Sequence, residues 1–207
     1  MDLIKIDDNI RTLEDKRTKW MVSKESINFI TKYISNHIQN PIVLEIGTNV
    51  GYSTLHLSKV AKAVLTLEKD EKFYKQSLIN LKPATNVRIF NGDVLKLIPS
   101  IKQSGIYFNA VFIDAVKKDY DLYLESVIPL LQDKFVIFLD NTISHRDKMT
   151  NLLEYLNLSE LDWQAEYATN LKKFALALAW SLPTGHGSLP DIPTLPNRGQ
   201  KKTPQGQ

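Results

Sequence analysis

The chain has 207 residues, a size that fits one domain of about 100–200 residues, and 43% of them are apolar, enough for a real core. No apolar run approaches the roughly 20 residues of a membrane span, and the absence of cysteine excludes disulfides, thiolate metal sites and cysteine nucleophiles. The net charge is only +3 and part of the excess lies in Arg198, Lys201 and Lys202, so an RNA partner is permitted but not required.

The first residues, MDLIKIDDNIRTLEDKR, are too charged for the apolar stretch of a secretory leader, and a cytoplasmic location is expected. Ile27, Ile30 and Ile34 then recur at helical spacing, with Ser23 placed to cap that helix. Short, nearly continuous apolar runs follow at Ile42–Ile46, Ala63–Leu67, Val87–Phe90, Ala110–Ile113, Phe135–Leu139 and Phe174–Ala179. They read as strands buried on both faces. Helical patterns cover Tyr52–Ala61, Glu71–Leu81, Tyr120–Leu131 and Asp147–Leu156. Alternation of this kind predicts parallel strands joined by crossovers, a doubly wound α/β sheet over residues 1–180. From Ser181 onward the composition changes: five of the nine prolines and four of the eight glycines lie there, with few large apolar residues. The segment 181–207 reads as an extended or disordered tail.

In such a sheet ligands bind beyond the carboxyl ends of the strands. The first strand runs into Glu45-Ile46-Gly47-Thr48-Asn49-Val50-Gly51-Tyr52-Ser53, and glycines four apart at a strand-to-helix turn permit a tight bend and close approach. Asn49 stands where a dinucleotide fingerprint has its middle glycine, and no Gly-Lys-Ser/Thr follows, so neither a dinucleotide loop nor a phosphate loop is present. Glu45, just before the glycines, suits a cationic group rather than a polyphosphate. Glu68 ends the second strand, where a carboxylate can accept from ribose hydroxyls, and Asp93 follows the third, where one can accept from an exocyclic amine. Singly these read as turn glycines and solvated acids; at three consecutive strand ends they point to a nucleoside ligand.

The fourth strand ends in Asp114-Ala115-Val116-Lys117-Lys118-Asp119-Tyr120 and the fifth in Asp140-Asn141. Two carboxylates and an amide oxygen converging from neighbouring strands suit magnesium, manganese or calcium rather than zinc. The plainer alternative is that Asp114 caps the next helix and Asp140-Asn141 is a turn. Lys117, about one helical turn after Asp114, faces the same cleft in this reading. Beside a divalent cation and partly desolvated, a lysine can have its pKa lowered and act as a base. His145 and Arg146 follow this turn; a loop histidine is more often solvated, and it stays outside the catalytic set.

The stretch E-I-G-T-N-V-G-Y-S, followed by T-L-E, resembles the cofactor site of the catechol and caffeoyl-CoA O-methyltransferase family. D-A-x-K-x-x-Y followed by D-N resembles its metal and base motifs. The resemblance covers roughly Thr18 to Trp180. It implies a Rossmann-like class I methyltransferase fold with a mostly parallel seven-stranded sheet and helices on both faces. It further implies that Glu45, Gly47, Gly51 and Ser53 surround the methionine part of S-adenosylmethionine, with Glu68 on the ribose, Asp93 near the adenine and Asp114 beside the cofactor. Asp114, Asp140 and Asn141 are implied as metal ligands, with Mg2+ expected and Mn2+ or Ca2+ as alternatives, and Lys117 as general base. Trp20-Met21-Val22 resembles the segment that covers cofactor and acceptor in the family. One departure is Val116, where plant-type members carry a second aspartate; the catechol enzyme lacks it too. A small catechol-like hydroxyl acceptor is the expected substrate. A bacterial branch that methylates hydroxyuridine at the tRNA wobble position is the alternative, and a non-catalytic cofactor-binding module acting by association is a third reading. Oligomeric state is not legible in the sequence; small bacterial members of the family are often dimers, so the resemblance admits a homodimer without requiring one.

Overall fold

The computed structural model describes residues 1–18, 20–142, 146–148, 151–152, 164–167 and 176–181. In chain order they form α1 (Leu3–Asp15), α2 (Lys24–His37), β1 (Ile42–Ile46), α3 (Tyr52–Val60), β2 (Ala63–Glu68), α4 (Glu71–Asn80) and β3 (Val87–Asn91). Then come α5 (Val94–Gln103), β4 (Phe108–Ile113), α6 (Tyr120–Val127), β5 (Leu131–Leu139), β6 (Gln164–Tyr167) and β7 (Leu176–Ser181). The strands make one seven-stranded sheet in the order β3-β2-β1-β4-β5-β7-β6. The first five are parallel, and β7 pairs antiparallel with both β5 and β6. The mostly parallel doubly wound sheet expected from the sequence is therefore present.

Successive residues of each strand serve opposite faces. Leu44, Ile46, Val111, Ile113, Ile137 and Leu139 pack with Ile98 and Ile101 of α5 and Leu124 and Val127 of α6. On the other face Val43, Ala110, Phe112, Val136 and Phe138 pack with Ile6 and Ile10 of α1, the three isoleucines of α2, and Leu55 and Leu57 of α3. Each fully buried isoleucine contributes about 1.5–3 kcal/mol of burial, so α2 is held on the sheet by its predicted stripe. Ser23 caps α2 as expected, accepting from the Ser26 amide at 3.0 Å. Among the described residues no helix is long and apolar enough to cross a membrane.

Several boundaries differ from the sequence expectation. α1 buries only Ile6 and Ile10, too sparse a pattern to stand out among its charges. α5 carries Pro99 within it, a residue that normally argues against a helix. The helix expected to reach Leu131 ends at Val127: Ile128–Leu130, with Pro129, tightens into a 3-10 turn and Leu131 already belongs to β5. β3 is an edge strand rather than one buried on both faces, and Phe90 is 47% exposed. β7 runs two residues later than expected, and β6 has too short a run to be read. Of the helix expected over Asp147–Leu156, Arg146–Lys148 is a 3-10 turn and residues 151–152 are helical; the remainder, like the proline-rich segment beyond Ser181, lies outside the described residues.

Candidate active site

The strand order reverses between β1 and β4, which leave from neighbouring positions toward opposite sides of the sheet. Crevices at such switch points, beyond the carboxyl ends of the strands, are where doubly wound sheets bind ligands. Five strand ends converge here: Glu45, Gly47, Glu68, Asp93, Asp114, Lys117, Asp140 and Asn141 lie at or just beyond them, and Gly51 and Ser53 open α3 after the first.

The glycine turn leaves β1 at this crevice. Gly47 and Thr48 donate to the Leu67 carbonyl of β2 at 3.0 and 3.3 Å, and the Gly51 amide closes onto the Thr48 carbonyl at 2.9 Å. Gly47, Asn49 and Gly51 all take positive φ, at 102°, 51° and 90°. Asparagine is among the few side-chain-bearing residues that visit this region readily, so Asn49 replaces a glycine without strain at that position. Gly51 is the N-cap of α3, and the turn delivers that helix's first amides to the crevice.

Glu45 lies beneath the turn and is fully buried. Its carboxylate accepts from Ser53 Oγ at 2.5 Å, Thr54 Oγ1 at 2.5 Å and Thr66 Oγ1 at 2.7 Å; Thr48 Oγ1 joins through Thr66. Glu45 and Thr66 are register partners of β1 and β2. Glu45 thus ties two strands to the first turn of α3, and the Ser53 hydroxyl is directed at Glu45. Burial raises the Glu45 pKa to about 7 despite the three hydroxyls, with the nearby Asp114 charge adding to the rise. A carboxyl of this kind binds its proton more tightly in the folded state. The stability so gained is present in full below the unfolded value of 4.5 and is lost as pH climbs through about 7. Between about pH 5.5 and pH 8, wild type is expected to lose about 2 kcal/mol relative to Glu45→Gln. Equilibrium urea unfolding of both proteins across that range checks this: parallel pH profiles would sink the assignment.

Glu68, only 8% exposed, accepts from the Asn49 amide at 2.6 Å and the Asp70 amide at 2.8 Å. The glycine turn and the β2 exit therefore orient one carboxylate between them. Burial raises its pKa while those amides act against the rise. Each carboxylate oxygen keeps further acceptor capacity, as two ribose hydroxyls require. Asp93 has a role the sequence reading did not give it: it caps α5 by accepting from the Leu95 amide at 3.1 Å. Its other oxygen pairs with Lys69 Nζ at 2.7 Å, and that ammonium holds its carboxyl below the usual range.

The ends of β4 and β5 complete the crevice. Ile113 and Leu139 are register partners, so Asp114 and Asp140 follow side by side, and the Asp140 amide donates to the Ile113 carbonyl at 3.0 Å. Asp140 is 3% exposed, and Asn141 turns the chain with φ 62°. Lys117 Nζ donates to Asp114 Oδ1 at 2.6 Å and to Tyr120 Oη at 2.8 Å. The side chains of this ion pair are only 14% and 17% exposed. The spacing is not a regular helical turn, as the sequence reading had it: residues 114–116 are non-helical, and Lys117 opens a 3-10 turn and reaches back. Among the described residues no group of three or more His, Asp or Glu gathers for a metal. A cation here would therefore rest on Asp114, Asp140, the Asn141 amide and solvent. That all-oxygen donor set fits a hard ion such as magnesium. His145 lies outside the described residues.

Three features were not read from the sequence. Thr54 and Thr66 saturate Glu45, a need that a glutamate inside a buried strand does signal. Tyr120 was seen only as part of a motif. Arg17 donates to the carbonyls of Met21 and Val22 and lies 5.6 Å over the Tyr52 ring, fixing the segment that carries Trp20. That segment crosses the glycine turn: Asn49 Nδ2 reaches the Trp20 carbonyl at 3.4 Å, and the tryptophan itself is 67% exposed.

A family model described as O-methyltransferase matches residues 6–156. The chain belongs to the O-methyltransferase family. Among curated proteins, this family member is similar to a catechol O-methyltransferase of Mycobacterium tuberculosis. The two are 35% identical over 116 residues, 53% of this chain and 52% of that protein. The chain spans about half the length of the curated relatives it matches. Among solved structures, cofactor-bound Rv0187 from MTB has a TM-score of 0.70 at 28% identity, covering 85% of this chain and 88% of that one. TomG, an O-methyltransferase from Streptomyces achromogenes solved in complex with SAM, has a TM-score of 0.71 at 21% identity. That match covers 84% of this chain and 89% of TomG, a likeness of fold.

Proposed function

We propose that this chain is an S-adenosylmethionine-dependent O-methyltransferase acting in the cytoplasm on a small acceptor with adjacent oxygens, of catechol type, with help from a divalent cation. The observation that carries the reading is Lys117, held on Asp114 at 2.6 Å beside Asp140, at the crevice where the glycine turn and Glu68 also open. Family membership and the catechol O-methyltransferase relatives support the reaction class.

In this mechanism Glu68 takes the ribose hydroxyls, and the turn from Gly47 to Gly51 gives the methionine part close backbone approach. Glu45 and Ser53 hold that turn rigid from below, and Asp93 borders the adenine end. S-adenosylmethionine supplies a methyl on a sulfonium, which leaves as a neutral thioether. Asp114, Asp140 and Asn141 would hold the cation, which supplies Lewis acidity favouring loss of a hydroxyl proton. Lys117 Nζ receives that proton from the acceptor oxygen. The O–C bond forms as the S–C bond breaks, its electron pair remaining on sulfur. Opposite charges are neutralised in the step, so the protein's task is to align the pair and keep water away.

Methyl transfer from labelled cofactor to 3,4-dihydroxybenzoic acid tests the proposal, with tRNA as a parallel acceptor. Transfer to the dihydroxy acid is expected to fall at least tenfold with EDTA and to return with magnesium. Activity that resists EDTA would remove the cation; label entering only RNA would remove the small acceptor.

A further inference from the structure

The proposed base raises a question of direction. An amine nitrogen is tetrahedral and sits on a flexible four-carbon stem, so being near an acceptor does not aim it. In this chain the aim is fixed by a residue that the proposed mechanism does not yet use.

Tyr120 is fully buried at the start of α6. Its hydroxyl lies within hydrogen-bond reach of three groups: the Ile113 carbonyl at 3.0 Å, the Asp140 carbonyl at 3.2 Å and Lys117 Nζ at 2.8 Å. A phenol has a single proton. Both carbonyls can only accept, so that proton is committed to them, shared in a three-centre arrangement, and the oxygen meets Lys117 as an acceptor. The two carbonyls belong to the residue before Asp114 and the residue before Asn141. One buried hydroxyl therefore joins the exits of β4 and β5 to the lysine that stands over them.

We propose that Tyr120 is the positioning residue for Lys117: together with Asp114 it occupies two of the nitrogen's three outward positions and turns the third into the cleft. On the neutral amine the two held positions are its N–H bonds, and the third is the lone pair that takes the acceptor's proton. Asp114 alone would leave the amine free to rotate about its contact. Tyr120 removes that freedom, and its ring cannot move because α6 and the β-sheet enclose it. This inference rests on the reading of Lys117 as base.

The test is Tyr120→Phe in the full chain, which keeps the ring and removes the hydroxyl. With 3,4-dihydroxybenzoic acid, kcat is expected to fall about 10- to 100-fold, the range for groups that orient a reacting residue from behind. KM for the acceptor and Kd for S-adenosylhomocysteine are expected to stay within about threefold. In the Lys117→Met background the same substitution is expected to cost less than about twofold, because a residue acting through Lys117 has nothing left to act on. Unchanged kcat in the single variant, or an equal loss in both backgrounds, would overturn the proposal; the second result would make Tyr120 a structural brace. A measurement on wild type covers the event that Tyr120→Phe does not fold. In a chain labelled with 15N-lysine, the nearly enclosed Lys117 should give a slowly exchanging side-chain N–H signal, assigned by its loss in Lys117→Met. Absence of that signal would overturn the Tyr120–Lys117 contact directly. If wild type methylates neither acceptor, the proposed function fails, and the resonance, read again in Tyr120→Phe or, where that variant does not fold, in Asp114→Asn, still decides whether Tyr120 holds the lysine.

Discussion

Replacing Lys117 with methionine is expected to lower kcat about 10²- to 10⁴-fold, the usual contribution of a positioned acid–base group, and to leave S-adenosylhomocysteine affinity within about threefold. Methionine keeps most of the stem's length and its packing, and loses only the nitrogen. Cofactor affinity is spared because the groups assigned to the nucleoside, Glu68 above all, are oriented by the amides of Asn49 and Asp70 and not by Lys117. The loss is not confined to chemistry. Asp114 gives up an ion pair whose two side chains are both mostly enclosed, and a carboxylate left without its partner costs about 1–3 kcal/mol. Thermal unfolding has to be measured beside turnover, so that a drop in kcat is not mistaken for a loss of folded protein. Lys117→Arg separates the roles further. Arginine restores a cation for Asp114 but holds its proton at any working pH, so it is expected to recover stability without recovering turnover. Wild-type turnover in either variant with a competent acceptor would remove Lys117 as the base.

How far these residues could be read from the sequence depends on what kind of contact each makes. The parallel strands were legible because burial on both faces writes a nearly continuous apolar run, and β1, β2, β4 and β5 all carry one; edge strand β3 does so only in part. α2 was legible because Ile27, Ile30 and Ile34 form a stripe that ends at a serine cap. α1 was not, since two buried isoleucines among many charges make too weak a period, although Ile6 is as enclosed as any residue in the core. In the site, the residues at strand ends were found by position, but their partners were not. That Glu45 is taken up by Ser53, Thr54 and Thr66 follows from the β1–β2 register and the entry angle of α3, neither of which a linear sequence states. The Asp114–Lys117 spacing suggested helical stacking; the contact forms instead across a non-helical bend, because the chain must first turn off the end of β4. Tyr120 was invisible as a positioning group for the same reason, since its three partners come from two strands and a turn.

Gly47→Ala is expected to be among the most destabilising single-methyl additions in the chain, costing roughly 3–5 kcal/mol through two separable causes. The first is local: Gly47 has φ 102°, and a side chain in left-handed backbone costs about 1–2 kcal/mol. The second is a collision. A Cβ on Gly47 would stand 2.0 Å from the Asp114 carbonyl oxygen and 2.8 Å from its carbon, and those are backbone atoms that no rotamer change can clear. Relief requires the exits of β1 and β4 to part, yet the Asp114 amide is bonded to the Ile46 carbonyl at 2.9 Å and Asp140 is bonded to Ile113 next to it. Overpacking in an enclosed region costs about 1–3 kcal/mol, and the rigidity of this junction puts the cost at the upper end. For a chain of this size each kcal/mol is about 2–4 °C, so differential scanning calorimetry should show a fall in Tm of roughly 10 °C. Gly51→Ala is the control, because its φ of 90° carries the same backbone strain while its Cβ would meet only the flexible Leu81 side chain at 3.0 Å. The smaller loss expected there isolates the collision. Equal losses at the two glycines would mean that left-handed backbone alone sets the requirement, and that β1 and β4 can separate without penalty where the candidate cofactor and metal residues meet.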